Sequence, residues 1–398
     1  MKRALGVVLL LIAGCSLGST DSSPGVTAKT IRLGVLTDHS GPFASMGKAV
    51  AQGRQLFWDD RNGAGGVCGR TVEFEVVDHG YDTSRAVAGY GELHGKVLAM
   101  DELLGSPMLA SLLPTLKEDQ MVTLAGSFSS QLLSNPYVVV TGATYDVEMI
   151  NGIQWLGEHK DLRQGAKIAH IYIDGDYGQS ALAGSRAAAE EFGLTLYEYG
   201  VTTAETDLSE VLATVRASGA QHVLLTTTPQ QTASAVVAAE RLSYDGIFMG
   251  SNPAFSPALL KGPARKALEQ RLVVATSVAP FSANGSGPTA VREAFLARHP
   301  TAPRTSWVMF GYAQGLVMGE LLDAACKAGD LTRAGLSKAL RQLWFVDARQ
   351  LLPPLSYDEP GEIPARESYI AQPDARIDGG LAVVGEIAAA PLARVYRS

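Results

Sequence analysis

Three serines stand just past apolar runs: Ser106 after Ala99–Leu104, and Ser127 and Ser129 after Val122–Ala125. If those runs are parallel strands, their carboxyl ends pass into helix N-termini, where unpaired N–H groups and the helix dipole favour an anion such as a carboxylate. A serine hydroxyl there either holds that anion or caps the helix. Catalytic patterns are missing around them. No Gly-x-Ser-x-Gly elbow follows a predicted strand. Gly41–Lys48 (GPFASMGK) resembles a phosphate loop, but five residues separate its glycines and Ala49 replaces the magnesium-holding hydroxyl. Gly63–Gly69 follows a helix and precedes a strand, the reverse of a dinucleotide site. His39, His79, His94, His159, His170, His222 and His299 form neither a His-Glu-x-x-His pattern nor a Cys/His cluster. The expectation is therefore a binding protein: no enzyme, no metal, no cofactor.

The elements that must position these serines follow from hydrophobic patterning. Ile31–Thr37, Val72–Val77, Ala99–Leu104 and Val122–Ala125 read as buried strands, with helices near 43–62, 82–96 and 107–119. The cycle repeats in Lys167–Ile173, Leu196–Val201 and His222–Thr226, with helices near 145–159, 178–192, 207–218 and 229–243. Asp207 and Glu210 resemble a capping box and Gly219 a stop. Strand–helix alternation predicts parallel sheets covered on both faces, and two such runs predict two doubly wound α/β lobes. Gly311, Gly315 and Gly319 recur at four-residue spacing in the apolar segment 306–326. Gln314, Glu320 and Asp323 argue against a membrane span there, so the glycine ridge is expected to approach a sheet.

The chain ends and composition bound the setting. Lys2 and Arg3 precede the apolar run Ala4–Ala13, which is shorter than the roughly 20 residues of a membrane helix and fits a secretory signal. It runs into Ile12-Ala13-Gly14-Cys15, which resembles a bacterial lipobox. Residues 1–15 are thus expected to be a lipoprotein signal with Cys15 as the lipidated residue. Residues 16–29, rich in Ser and Gly, are expected to be a flexible tether. Cys68 and Cys326 remain as an even pair, either a disulfide of an oxidising compartment or two buried thiols; their loop-like contexts favour the disulfide. A net charge of −7 without a basic cluster excludes nucleic acid as a partner. The roughly 380 mature residues predict two domains.

Five segments carry a resemblance: IRLGVLTDHSGPFASMGKAVAQGRQLFWDDRNGAGGV (31–67), LLGSPMLASLLPTL (103–116), TLAGSFSS (123–130), IYIDGDYGQSALAGSR (171–186) and FMGSNPAF (248–255). In this order and spacing they resemble the branched-chain amino-acid-binding proteins, type I periplasmic binding proteins that serve ABC importers. The resemblance implies two doubly wound lobes joined by three crossing strands, near Ala143–Tyr145, Thr276 and Val346. The N-terminal lobe would comprise 30–144 plus 277–345, with both Cys68 and Cys326 inside it; the C-terminal lobe would comprise 145–276 plus 346–398. It implies a monomeric, lipid-anchored, extracytoplasmic receptor that captures an amino acid or related carboxylate by hinge closure and delivers it to an ABC permease. A ligand-sensing lipoprotein would use the same lobes. Ser106, Ser127 and Ser129 match positions that hold a carboxylate, and Tyr177 matches a tyrosine that closes over the ligand. Asn252 stands where amino-acid-binding relatives carry an acid for the ammonium, so Asp146, Asp174 or Asp176 would have to replace it, or the ligand lacks that cation. Met46 replaces a common aromatic and gives a softer wall.

Overall fold

The computed structural model describes residues 23–398. The predicted signal segment, Cys15 and the start of the tether lie outside the described residues. One sheet holds β1 (Thr30–Thr37), β2 (Thr71–Asp78), β3 (Ala99–Leu104), β4 (Thr123–Gly126) and β5 (Val138–Val139), in the order β2-β1-β3-β4-β5 and all parallel. Helices α1 (Ala44–Gly63), α2 (Thr83–Leu93) and α3 (Ser106–Glu118) connect its strands. β3 is buried on both faces, its Asp101 and Glu102 facing the buried Arg54, whereas the edge strand β2 is partly exposed.

The second lobe runs α4 (Tyr145–His159), β6 (Lys167–Ile173), α5 (Asp176–Glu191), β7 (Thr195–Val201), α6 (Ser209–Ser218), β8 (His222–Thr226), α7 (Pro229–Arg241), β9 (Ile247–Gly250), α8 (Arg265–Arg271) and β10 (Leu272–Thr276). The chain returns to the first lobe for α9 (Ser286–Arg298), α10 (Ser306–Lys327) and α11 (Arg333–Leu340). It ends in the second with β11 (Tyr369–Pro373), β12 (Leu381–Val383) and α12 (Pro391–Val395). The second sheet has the order β12-β11-β10-β9-β8-β6-β7. It departs from the expected parallel arrangement at one edge, because β11 and β12 form an antiparallel hairpin. Their connection is too short for the crossover a parallel pair needs.

Three further expectations need correction. Asp207 does not cap α6 as a box: its carboxylate accepts from the Ser209 N–H and hydroxyl, and the helix begins at Ser209. The reciprocal box belongs instead to Thr228 and Gln231 on α7. Gly219 does close α6 in the left-handed conformation, φ 79°. The glycine ridge of α10 meets a helix, not a sheet. A Cβ on Gly53 of α1 would lie 2.0 Å from the Val308 carbonyl oxygen, and one on Gly311 would lie 2.1 Å from that of Val50. The backbones of α1 and α10 touch, with Phe57 packed over Gly315 and Gly319. Cys68 and Cys326 clamp the far end of this pair as a disulfide with Cα atoms 6.0 Å apart, and Cys326 sits in the last turn of α10 rather than in a loop.

The third passage between lobes comes later than Val346. Val346 pairs with Leu355, and the Tyr357 hydroxyl still donates to the Val140 carbonyl near β5. Asn151 of α4 binds the chain at Arg366 and Ser368, where it has joined the second lobe. Part of the expected tether is also docked: Val26 pairs with Ile31, and the Thr27 carbonyl accepts from Arg70.

Two stability measurements test this packing. Gly53→Ala should cost about 1–3 kcal/mol in urea unfolding, since the Cβ meets backbone that cannot yield. Gly63→Ala, with nothing within 4 Å of the added carbon, should cost close to nothing. The double variant C68A/C326A should lose about 2–5 kcal/mol.

Candidate functional site

The loops after β1, β3 and β4 converge on those after β6, β8 and β9 from the other lobe. Gly105, at φ 102°, turns the chain so that α3 begins on Ser106 itself. The Ser106 and Ser127 hydroxyls are 2.7 Å apart, and the Ser127 oxygen accepts from the Ser129 N–H at 3.2 Å. Ser129 reaches across the cleft to donate to the Asp176 carbonyl at 3.4 Å, and the Ser130 N–H donates to the Ser180 hydroxyl oxygen at 3.1 Å. Ser106, Ser127 and Ser129 are 2, 1 and 0 % exposed, so their oxygens have no water-sized space beside them. The lobes stand closed.

Tyr177 comes to the same seam from α5, but its hydroxyl is held within its own lobe, 2.5 Å from the Ser251 hydroxyl oxygen. Beside it lies Tyr145, the first residue of α4, ring centroids 4.7 Å apart. The Ser127 and Ser106 hydroxyls bear on the Tyr145 phenol, and burial raises its pKa well above the ordinary tyrosine value. Its backbone N–H donates to Phe128 at 2.8 Å. An aromatic ring thus fills the ground in front of the serines.

The other predicted residues take several positions, with Asp174 and Asp176 beside Tyr177. Asp146 accepts from the Thr144 hydroxyl and from the Val147 N–H at 2.8 Å, close to Ser130 of the seam, with burial raising its pKa. Asn252 lies at the hinge, where its side-chain oxygen accepts from Thr276 at 2.8 Å. Asp174 and Asp176 border a small cleft of about 240 Å³ beneath Tyr81. Met46 lines a different space altogether. This is a cavity of about 1080 Å³ between α1 and the start of α10 on one side, and residues 253–265 and 375–380 on the other. Phe43, Phe255 and Trp307 share its walls with Lys48, Lys261 and Arg265, and an ion pair between Arg304 and Asp378 crosses it from lobe to lobe.

Glu148 is the residue that sequence reasoning missed. It is fully buried on the first turn of α4, and it accepts from the Asn252 N–H and the Ser277 N–H, each at 3.1 Å. Burial pushes its carboxyl up to about 8, against the opposing pull of those two hydrogen bonds. The only sequence signal was a second acid, beside Asp146, in the first turn of a helix. Among the described residues, no cluster could hold a metal and no helix is long and apolar enough to cross a membrane.

A family model described as periplasmic binding protein matches residues 30–380. The chain belongs to the periplasmic binding protein family. Its type I fold is shared with a fatty acid ABC transporter substrate-binding protein from Thermomonospora curvata, at 39 % identity and TM-score 0.92, over 94 % of this chain and 96 % of that one. A Leu/Ile/Val-binding protein homolog of Brucella suis is 25 % identical over 348 residues, 79 % of this chain and 82 % of the relative. A branched-chain amino acid ABC transporter protein of Thermus thermophilus with bound valine shares the fold at 18 % identity and TM-score 0.79, covering 92 % and 98 % of the two chains.

The hinge acid of this periplasmic binding protein makes a signed prediction. A carboxyl raised from about 4.3 in the unfolded chain contributes stability that is present below that pH and lost as pH rises toward about 8. His170, buried and pushed down to about 3, acts oppositely, since its contribution is lost as pH falls below about 6.5. Subtracting one protein from the other isolates Glu148. The melting temperature of E148Q relative to wild type should therefore rise between pH about 5 and about 8. A flat difference would show that the carboxyl ionises normally.

Proposed function

We propose that this chain is the extracytoplasmic receptor of an ABC importer, capturing a small carboxylate between its lobes and presenting the closed form to the permease. The observation that carries the reading is a cavity walled by both lobes, together with polar contacts that cross the cleft at Ser129, Ser130 and the Arg304–Asp378 pair. A solute touching both walls favours the closed state by its differential affinity. Fatty acids and branched-chain amino acids, the solutes in the relatives' descriptions, have a carboxylate in common. The fatty acid and branched-chain amino acid neighbours are described as ABC transporter proteins, which favours transport over sensing.

The predicted site residues divide among several tasks in this proposal. Ser106, Ser127, Ser129 and Tyr177 form the seam along which the lobes meet, and Met46 belongs to the wall that faces the solute. Asn252 serves the hinge with Glu148. Cys15 would carry the lipid that keeps the receptor beside its permease. No step of this function requires bond-making on the solute.

Closure is tested by locking it. The Ser130 and Ser180 hydroxyls are 3.2 Å apart across the seam, so S130C/S180C should form a bridge on oxidation. The reduced variant should melt higher with its solute, by about 2.7 kcal/mol of added stability at a hundred times Kd. The oxidised variant, sealed before the solute is added, should show no shift, with wild type under identical treatment as the control. A full shift in the sealed protein would refute capture by closure.

A further inference from the structure

We infer that the solute is an amphiphilic carboxylate, with its chain in the interlobe cavity against Phe43, Met46, Phe255 and Trp307 and its head drawn to Lys48 and Lys261. The inference rests on the receptor reading above and names the ligand class of that site.

Charge decides first. The chain as a whole is negative, yet the cavity walls carry four cations, Lys48, Lys261, Arg265 and Arg304, against the single carboxylate of Asp378. Arg304 is paired with Asp378, and Arg265 with Glu269 at 3.2 Å. Lys48 and Lys261, one from each lobe, have no carboxylate partner among the described residues. An anionic head between the lobes would face both, whereas an ammonium would find the one wall carboxylate, Asp378, already paired with Arg304. The acid nearest the expected ammonium position, Glu148, has each of its oxygens engaged by a backbone N–H. An amino acid therefore finds no counter-ion at either place.

Size and polarity point the same way. The seam around Ser106 is filled by Tyr145 and Tyr177, and the cleft of about 240 Å³ next to Tyr177 is bordered by Asp174 and Asp176. An anion with a long chain therefore fits better in the larger space beside the seam. At about 1080 Å³ that cavity is at the upper end of small-molecule sites, well beyond what a free amino acid occupies. Its aromatic and thioether walls reward an apolar chain, and Met46 adapts to one of variable shape.

The test measures binding to the full chain, freed of co-purified lipid on a hydrophobic resin, by titration calorimetry and by intrinsic tryptophan fluorescence. The probes are octanoate, dodecanoate, dodecan-1-ol and leucine. Affinity should rise by roughly fourfold for each methylene buried. Dodecanoate should bind at least about tenfold tighter than the alcohol. K48E/K261E should remove that advantage, with a melting temperature close to that of wild type showing that the variant is folded. Equal binding of acid and alcohol, or an unaltered K48E/K261E, overturns the assignment of the head. Tight binding of leucine without the fatty carboxylates overturns the ligand class and leaves the receptor reading intact. Binding of no solute in the set, or in a wider panel of sugars, amides and polyamines, overturns both.

Discussion

Glu148 sits where three segments of chain must meet without water: the first turn of α4, the end of β9 and the passage leaving β10. Buried N–H groups at Asn252 and Ser277 need acceptors, and a two-oxygen carboxylate supplies one to each. The cost is desolvation, visible in the raised pKa. Because the two donors belong to the loop behind the cleft and to a connection between lobes, this one side chain sets the direction in which the second lobe leaves the first. The seam and the cavity inherit their alignment from it.

On that frame the cleft divides by chemistry. Hydroxyls and tyrosines occupy the seam and spend their hydrogen bonds on one another, so the lobes close on a surface already satisfied. Beside the seam the walls are apolar and the charge is positive. Polar contact fixes how the lobes meet, and apolar area with unpaired cations fixes what is held between them. The two tasks fall on different residues, which leaves each adjustable without the other.

The strands and helices were legible because buried parallel strands write themselves as mainly apolar runs. Thr123–Gly126 and His222–Thr226 appear where the runs are, and even Ala99–Leu104 was found although Asp101 and Glu102 interrupt it. Ser106, Ser127 and Ser129 were found because residues just past such strands must lie at the cleft. What could not be read was what opposes them. Tyr145 looks like any residue opening a helix, and Glu148 like a stray acid, until the hinge brings them beside Ser127 and Asn252. Asp146, two positions from Glu148, points elsewhere because successive helical positions face different directions. The antiparallel hairpin at 369–383 was missed for a similar reason, since its strands are too short to show a period.

The disulfide also bears on the order in which the molecule takes shape. Cys68 and Cys326 are 258 residues apart, and the entire core of the second lobe is made between them. As the chain emerges from its N-terminus, the first lobe is therefore begun first but completed only after most of the second has been made. The face of α1 that carries Gly53 and Phe57 waits uncovered until α10 arrives. The second lobe lacks only an edge hairpin and a terminal helix at that stage. A chain crossing a membrane in this direction needs its apolar α1 face shielded during the interval, and the bridge, once formed, records that the long wait has ended in the native pairing.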